Sequence, residues 1–172
     1  MEKGRINKII ISEVSLFDLF LFIKKFINFF MLKGKKLKFE IILNKVFIKL
    51  KLLGYNPLEI FSNFIFKLKP LVGLKLTKFR RRKILFPILL KKEKSYFFLI
   101  KWFYESILKR SEKNLVDRIV NEFLDIINNR GLTVKKFNDF NLIVVENKPY
   151  LWRKYKKYKN KTNKKNKIRR KI

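Results

Sequence analysis

No cysteine, histidine, alanine or glutamine occurs anywhere in this chain of 172 residues. Without cysteine there is no disulfide framework, no thiolate nucleophile and no thiolate metal site. Without histidine the commonest general base and metal ligand is gone. Acidic residues are scarce, 13 Asp and Glu against 44 Lys and Arg. Those few fall mainly at expected helix starts or four residues from a Lys or Arg, where they read as caps and surface ion pairs. The five glycines are isolated, so no glycine-rich loop can cradle a phosphate. These gaps point away from an enzyme, and no catalytic residue, metal ligand or cofactor is expected. The start, MEKGRINK, is polar and lacks the small-residue cleavage site of a secretory signal. It is not an Arg- and Ser-rich transit peptide either, so a protein working in an organelle is expected to be made there.

What is present is apolar and cationic. Hydrophobic residues make up 48% of the chain, which argues against wholesale disorder and for one domain with a real core. The formal net charge is +31. Like charges at that density repel and weaken a compact fold, so a polyanion is the expected partner: RNA, DNA or an anionic membrane surface. The abundant Lys, Ile, Phe and Asn have A-T-rich codons, and nucleotide bias explains part of the lysine excess. It does not explain the arginines, which cluster at Arg80, Arg81 and Arg82 and at Arg169 and Arg170. The most apolar stretch, Val14 to Leu32, is interrupted by Asp18, Lys24 and Lys25. Each would cost roughly 2.5–3.5 kcal/mol in a membrane helix. The stretch therefore reads as a buried helix, and no membrane is expected as a partner.

Local signals predict about six helices and one hairpin. Ser15 caps a first helix running to about Met31, with Asp18 in its first turn. Lys33-Gly34-Lys35-Lys36 breaks it. A second helix spans about Leu37 to Leu52, with Phe39, Ile42, Leu43, Val46, Leu50 and Leu53 on one face. Asn56-Pro57-Leu58-Glu59 starts a third helix that Pro70 closes after Leu68. From Val72 the period changes to two, and Ile84 to Leu90, containing Pro87, fits an edge strand. Together they predict a β-hairpin at 71–90 that protrudes, with a cationic tip at Lys78, Arg80, Arg81, Arg82 and Lys83. A fourth helix runs from about Lys94 to Lys109 on an apolar stripe of Tyr96, Ile100, Phe103 and Ile107. A fifth follows Asn114, burying Val116, Ile119, Val120, Phe123 and Ile127, with Arg118 and Glu122 paired outside. Gly131 stops it, and a last helix lies within about Lys136 to Lys148. The expected organisation is a mainly α bundle at 15–152, an N-terminal arm at 1–14 and a basic tail at 153–172. The tail has nothing to build a core and is expected to order along a polyanion.

Several cations have a binding reading and a bland one. The hairpin tip suits bidentate phosphate or base-edge contacts, or is a solvated turn. Lys33, Lys35 and Lys36 surround a glycine at a helix start, where lysines and free amides meet phosphate, or form a plain loop. Trp102 either stacks on a base or belongs to the core. Tyr155 and Tyr158 either stack on bases or pack on protein.

The residues in their order resemble the family of small-subunit ribosomal protein seven, over about Phe26 to Tyr150. KFINFFMLKGKK at Lys25 to Lys36 resembles the stretch leading into the family's Gly-Lys-Lys signature. Pro70, Val72, Lys75 and Pro87 match its hairpin. Lys101-Trp102, Glu105, Lys109-Arg110, Lys113, Arg118, Asn121-Glu122, Asp125, Gly131, Val134-Lys135-Lys136, Asp139 and Asn147 follow its C-terminal signature in register. Arg80-Arg81 stand where the family usually has two glycines, and Val46 and Phe97 where it prefers small residues. The resemblance implies binding to the 3′ major domain of small-subunit rRNA, nucleation of head assembly, and a hairpin near exit-site tRNA and the mRNA exit path, beside neighbouring small-subunit ribosomal proteins. By residue matching it implies rRNA contacts at Lys33, Lys35, Lys36, Lys75, Lys101, Trp102, Lys109, Arg110, Lys113, Lys135 and Lys136; Arg153, at the start of the basic tail, is expected to join them. The A-T bias, polar start and basic tail set the expected location as a mitochondrial ribosome, with a plastid next. A non-specific DNA-binding or nucleoid protein remains the alternative, and a peripheral membrane protein is a third class.

Overall fold

The computed structural model describes residues 16–79 and 82–151. The expected cap at Ser15, the N-terminal arm, Arg80, Arg81, Arg153 and the basic tail lie outside the described residues. The elements run α1 (Leu16–Phe30), α2 (Lys36–Leu52), α3 (Pro57–Leu68), β1 (Val72–Phe79), β2 (Arg82–Leu89), α4 (Lys92–Lys109), α5 (Leu115–Ile127) and α6 (Leu132–Glu146). The expected mainly helical fold with one hairpin is what the chain adopts. Among the described residues no helix is long and apolar enough to cross a membrane. The chain divides into two compact units, one comprising residues up to Pro70 and Lys91–Phe137, the other Leu71–Leu90 and the residues from Asn138 onward.

The first unit is a helical bundle in which α5 packs against α2, α3 and α4, and α1 packs against α2 and α4. Its core is aromatic. Phe22, Phe26, Phe61, Phe64, Phe103 and Phe123 are fully buried. Phe103 meets Phe123 at 4.7 Å, Phe64 at 4.9 Å and Phe26 at 5.6 Å between ring centroids. With no alanine to let helices approach closely, large rings fill the space between them, and tilted and edge-on rings contribute beyond their buried area.

Local chemistry explains most boundaries. The Asn56 side chain accepts from Leu58 N–H at 3.2 Å, and Pro57 occupies the first turn of α3, as the Asn-Pro signal requires. At the end of α5, Lys67 Nζ donates to the Ile127 carbonyl at 2.8 Å and to Asn129 Oδ1 at 3.1 Å, a cation on the negative end of the helix dipole. Asp18 and Lys92, 3.5 Å apart, tie α1 to α4. Two expectations change. Leu53 is the C-cap residue of α2 and half exposed, so it does not join the buried face of Phe39, Leu43, Val46 and Leu50. The last helix begins at Leu132 rather than near Lys136. Gly131 sits at φ +95°, open to glycine without strain, and Glu122 of α5 accepts from Thr133 N–H at 3.2 Å. The capping group comes from another helix.

In the second unit β1 and β2 pair antiparallel, from Val72 opposite Leu89 to Phe79 opposite Arg82. Leu90 N–H donates to the Leu71 carbonyl at 3.0 Å and closes the base. A Cβ on Gly73 would lie 2.5 Å from Leu90 Cδ2, so glycine allows the close approach there. Pro87 faces Leu74, and in a two-stranded ribbon its missing N–H is tolerated at the open edge.

Candidate nucleic-acid interface

The expected contact residues divide into free cations and cations already engaged by the protein. Lys33 (φ 51°) and Gly34 (φ 73°) take consecutive left-handed conformations. The turn is held by Lys35 N–H to the Leu32 carbonyl at 3.1 Å and Lys36 N–H to the Gly34 carbonyl at 2.8 Å. It exposes Lys33, Lys35 and Lys36 at the start of α2, where no side chain caps the helix. Lys36 pairs with Glu40 at 3.6 Å; among the described residues Lys33 and Lys35 have no ion-pair partner.

A second group gathers around Glu105 on α4. Lys101 lies one turn before it, with a nitrogen–oxygen separation of 4.0 Å, and Lys109 one turn after. Lys136 reaches across from α6 to bond the same carboxylate. That hydrogen bond draws Glu105 below the usual carboxylate range, with Lys101 and Lys109 adding their charge. The fold thus brings Lys101, Lys109 and Lys136 together around one anion. Lys109, Lys113 and Lys135 are exposed and have no ion pair with a described carboxylate.

Two of the expected contact residues are engaged within the protein. Arg110 is not a free surface cation. Its side chain is 18% exposed, and its guanidinium donates from Nε to Glu122 at 2.7 Å, from Nη1 to Glu112 at 3.0 Å and from Nη2 to Asp125. Burial works to lower its pKa, but the hydrogen bonds to Glu122 and Asp125 prevail and raise it. Trp102 is 9% exposed, its ring 5.9 Å from Phe98 and 6.2 Å from Phe137. It belongs to the core and has no open ring to stack on a base. Glu122 is likewise buried, with its side chain 2% exposed, and does not pair with Arg118 on the surface. The signal was present in the spacing: Ile119, Glu122 and Ile126 are i, i+3 and i+7, the buried face of α5. Arg118 instead donates to the Glu112 carbonyl. The bond from Lys136 to Glu105 joins residues 31 apart and has no local signal.

On the hairpin, Lys75, Lys78 and Lys83 are exposed. The register sets Lys78 directly opposite Lys83, and like charges facing across a strand pair destabilise it. Arg82 is the first residue of β2. Among the described residues no cluster of acidic groups is arranged to hold a metal.

A helical bundle with one antiparallel hairpin and lysines left without a described ion-pair partner near several helix ends presents cations that suit a polyanion. Residues 2–148 match the family described as Ribosomal protein S7p/S5e, and the chain belongs to that family. It is similar to the small ribosomal subunit protein uS7 of Acidiphilium cryptum, 31% identical over 131 residues covering 74% of this chain and 83% of the relative. The uS7 of Rhodospirillum rubrum is 31% identical over 131 residues, 76% of this chain and 84% of its own length. That of Paramagnetospirillum magneticum is 30% identical over 129 residues, 74% and 83% respectively. The family is one of structural proteins, and the chain is not an enzyme.

Proposed function

We propose that the chain is a structural constituent of the small ribosomal subunit that binds the 3′ major domain of small-subunit rRNA and nucleates assembly of the subunit head. The observation that carries this reading is how the charges are distributed. Asp18, Glu40, Glu105, Glu112, Asp117, Glu122 and Asp125 are all engaged in ion pairs within the protein. Lys33, Lys35, Lys109, Lys113 and Lys135 stay exposed and unpaired among the described residues, so the excess charge faces outward. Lysines spread over several helix ends position a folded RNA by shape and phosphate placement rather than by reading base edges. Family membership favours rRNA over duplex DNA as the polyanion. Lys101 and Lys136 contribute through the Glu105 cluster, and the arm at 1–14 and tail at 153–172, with Arg153, extend the electrostatic contact.

The hairpin tip has a separate role, beside exit-site tRNA and the mRNA exit path. Lys78 facing Lys83 is a repulsion that an RNA phosphate relieves. The ribosome is mitochondrial and the gene resides in the organelle; the A-T-rich residue usage supports both. The reading is tested by adding the full chain to the isolated 3′ major domain together with the head proteins that join later. Compaction of the RNA that depends on this chain is the expected result. Equal compaction without it contradicts a nucleating role.

A further inference from the structure

We infer that the outer face of α2 is a docking surface for an acidic amphipathic helix of a neighbouring small-subunit protein. The inference rests on the ribosomal reading above and adds a surface and a partner chemistry to it. Helix α2 has two apolar faces. Phe39, Leu43, Val46 and Leu50 are buried in the bundle. Leu37, Ile41, Ile48 and Leu52 are 75%, 56%, 59% and 82% exposed. Steps of four, seven and four residues place these four within an arc of about 60°, roughly opposite the buried face, along about 22 Å of helix. Single exposed aliphatics are ordinary, whereas four in line form a ridge of the kind that marks an interaction site.

The flanks identify the occupant. Exposed Lys38 and Lys45 border the ridge on one side and Lys51 on the other, none paired with a described carboxylate. Lys36 and Lys49 of the same helix already serve Glu40 and Asp117. A sugar–phosphate backbone would satisfy the lysines and leave the aliphatic ridge in water. A second copy would bring the same lysines face to face on a chain of net charge +31. A helix with an apolar stripe between rows of Asp and Glu satisfies both features, the familiar helix-on-groove mode. Exposed Asn44, beside the ridge on the Lys51 side and midway along it, gives such a partner a polar point to fix its register.

The test uses purified small subunits and the free full-length chain, labelled side by side with a photoreactive carbene and cross-linked with a zero-length amine-to-carboxylate reagent. Labelling at Leu37, Ile41, Ile48 and Leu52 is expected to fall several-fold in the subunit and to stay low after ribonuclease digestion. Lys38, Lys45 or Lys51 are expected to join Asp or Glu of one identified small-subunit protein. Labelling that returns on ribonuclease digestion assigns the face to RNA and overturns the inference, as does labelling equal to that of the free chain. If the chain is missing from small subunits altogether, the ribosomal reading falls and this inference with it.

Discussion

Replacing Arg110 by methionine separates a structural arginine from an RNA-binding one. Methionine keeps most of the aliphatic stem and removes the guanidinium that bonds Glu122, Glu112 and Asp125. Glu122 suffers most, because its side chain is only 2% exposed. Removing one partner of a buried ion pair costs about 3–5 kcal/mol. The lower end applies: Asp125 is 40% exposed and water can replace its lost partner, and Glu122 keeps the Thr133 N–H and hydroxyl as donors. A loss of about 3 kcal/mol corresponds to a fall of about 6–12 °C in Tm for a chain of this size. Urea denaturation followed by circular dichroism reads the change without adding salt. Below the new Tm, the salt dependence of RNA binding should be unchanged, whereas Lys113→Met should lower the slope by roughly 0.7–0.9. A stability change within about 0.5 kcal/mol, typical of surface positions, together with a reduced slope would refute the reasoning and return Arg110 to the interface.

Other outcomes follow from the same geometry. Phe103→Ala, at the centre of the ring cluster, should cost about 3–5 kcal/mol in the same urea assay. The carboxyls of Glu105, Glu112 and Asp117 are held below their ordinary values of 4.5, 4.5 and 3.8, chiefly by hydrogen bonds from Lys136, Asn121 and Lys49 respectively. Their stabilisation is complete above those ordinary values and is lost as the pH falls through the lowered ones. Acid titration of Tm should therefore show a fall beginning below about pH 4.5, and Lys136→Met should move the Glu105 carboxyl back up, as read by NMR titration. Changing Arg80, Arg81 and Arg82 to Ala should weaken exit-site tRNA retention by assembled subunits more than head assembly. Equal loss of rRNA binding in that variant would contradict the division of labour.

Local signals carried the fold far. Asn56-Pro57 marked the start of α3, Gly131 the turn before α6, and the switch from period 3.6 to 2 at Val72 the hairpin, because each feature is satisfied within a few residues. What stayed hidden depends on distant partners. The early start of α6 relies on Glu122, eleven residues away from Thr133. Arg110 and Trp102 both sit in motifs that look like surface contacts, yet one is held by carboxylates of α5 and the other is covered by Phe98 and Phe137. Helix α2 was placed correctly, to Leu52, but the exposure of Leu53 and the outer ridge stayed hidden because apolar residues on both faces weaken the amphipathic signal. The lysine turn at Lys33 to Lys36 was legible because glycine and adjacent cations announce it directly.

The central claim is shape-specific binding of rRNA. It is tested most directly by measuring affinity of the full chain for the isolated 3′ major domain against duplex DNA of equal length, across a salt series. Non-specific phosphate contacts weaken steeply as salt rises, while a fitted RNA surface keeps its advantage. A preference for the rRNA domain that persists at high salt is the expected result. Equal affinities that disappear together as salt rises would contradict it and leave a non-specific polycation.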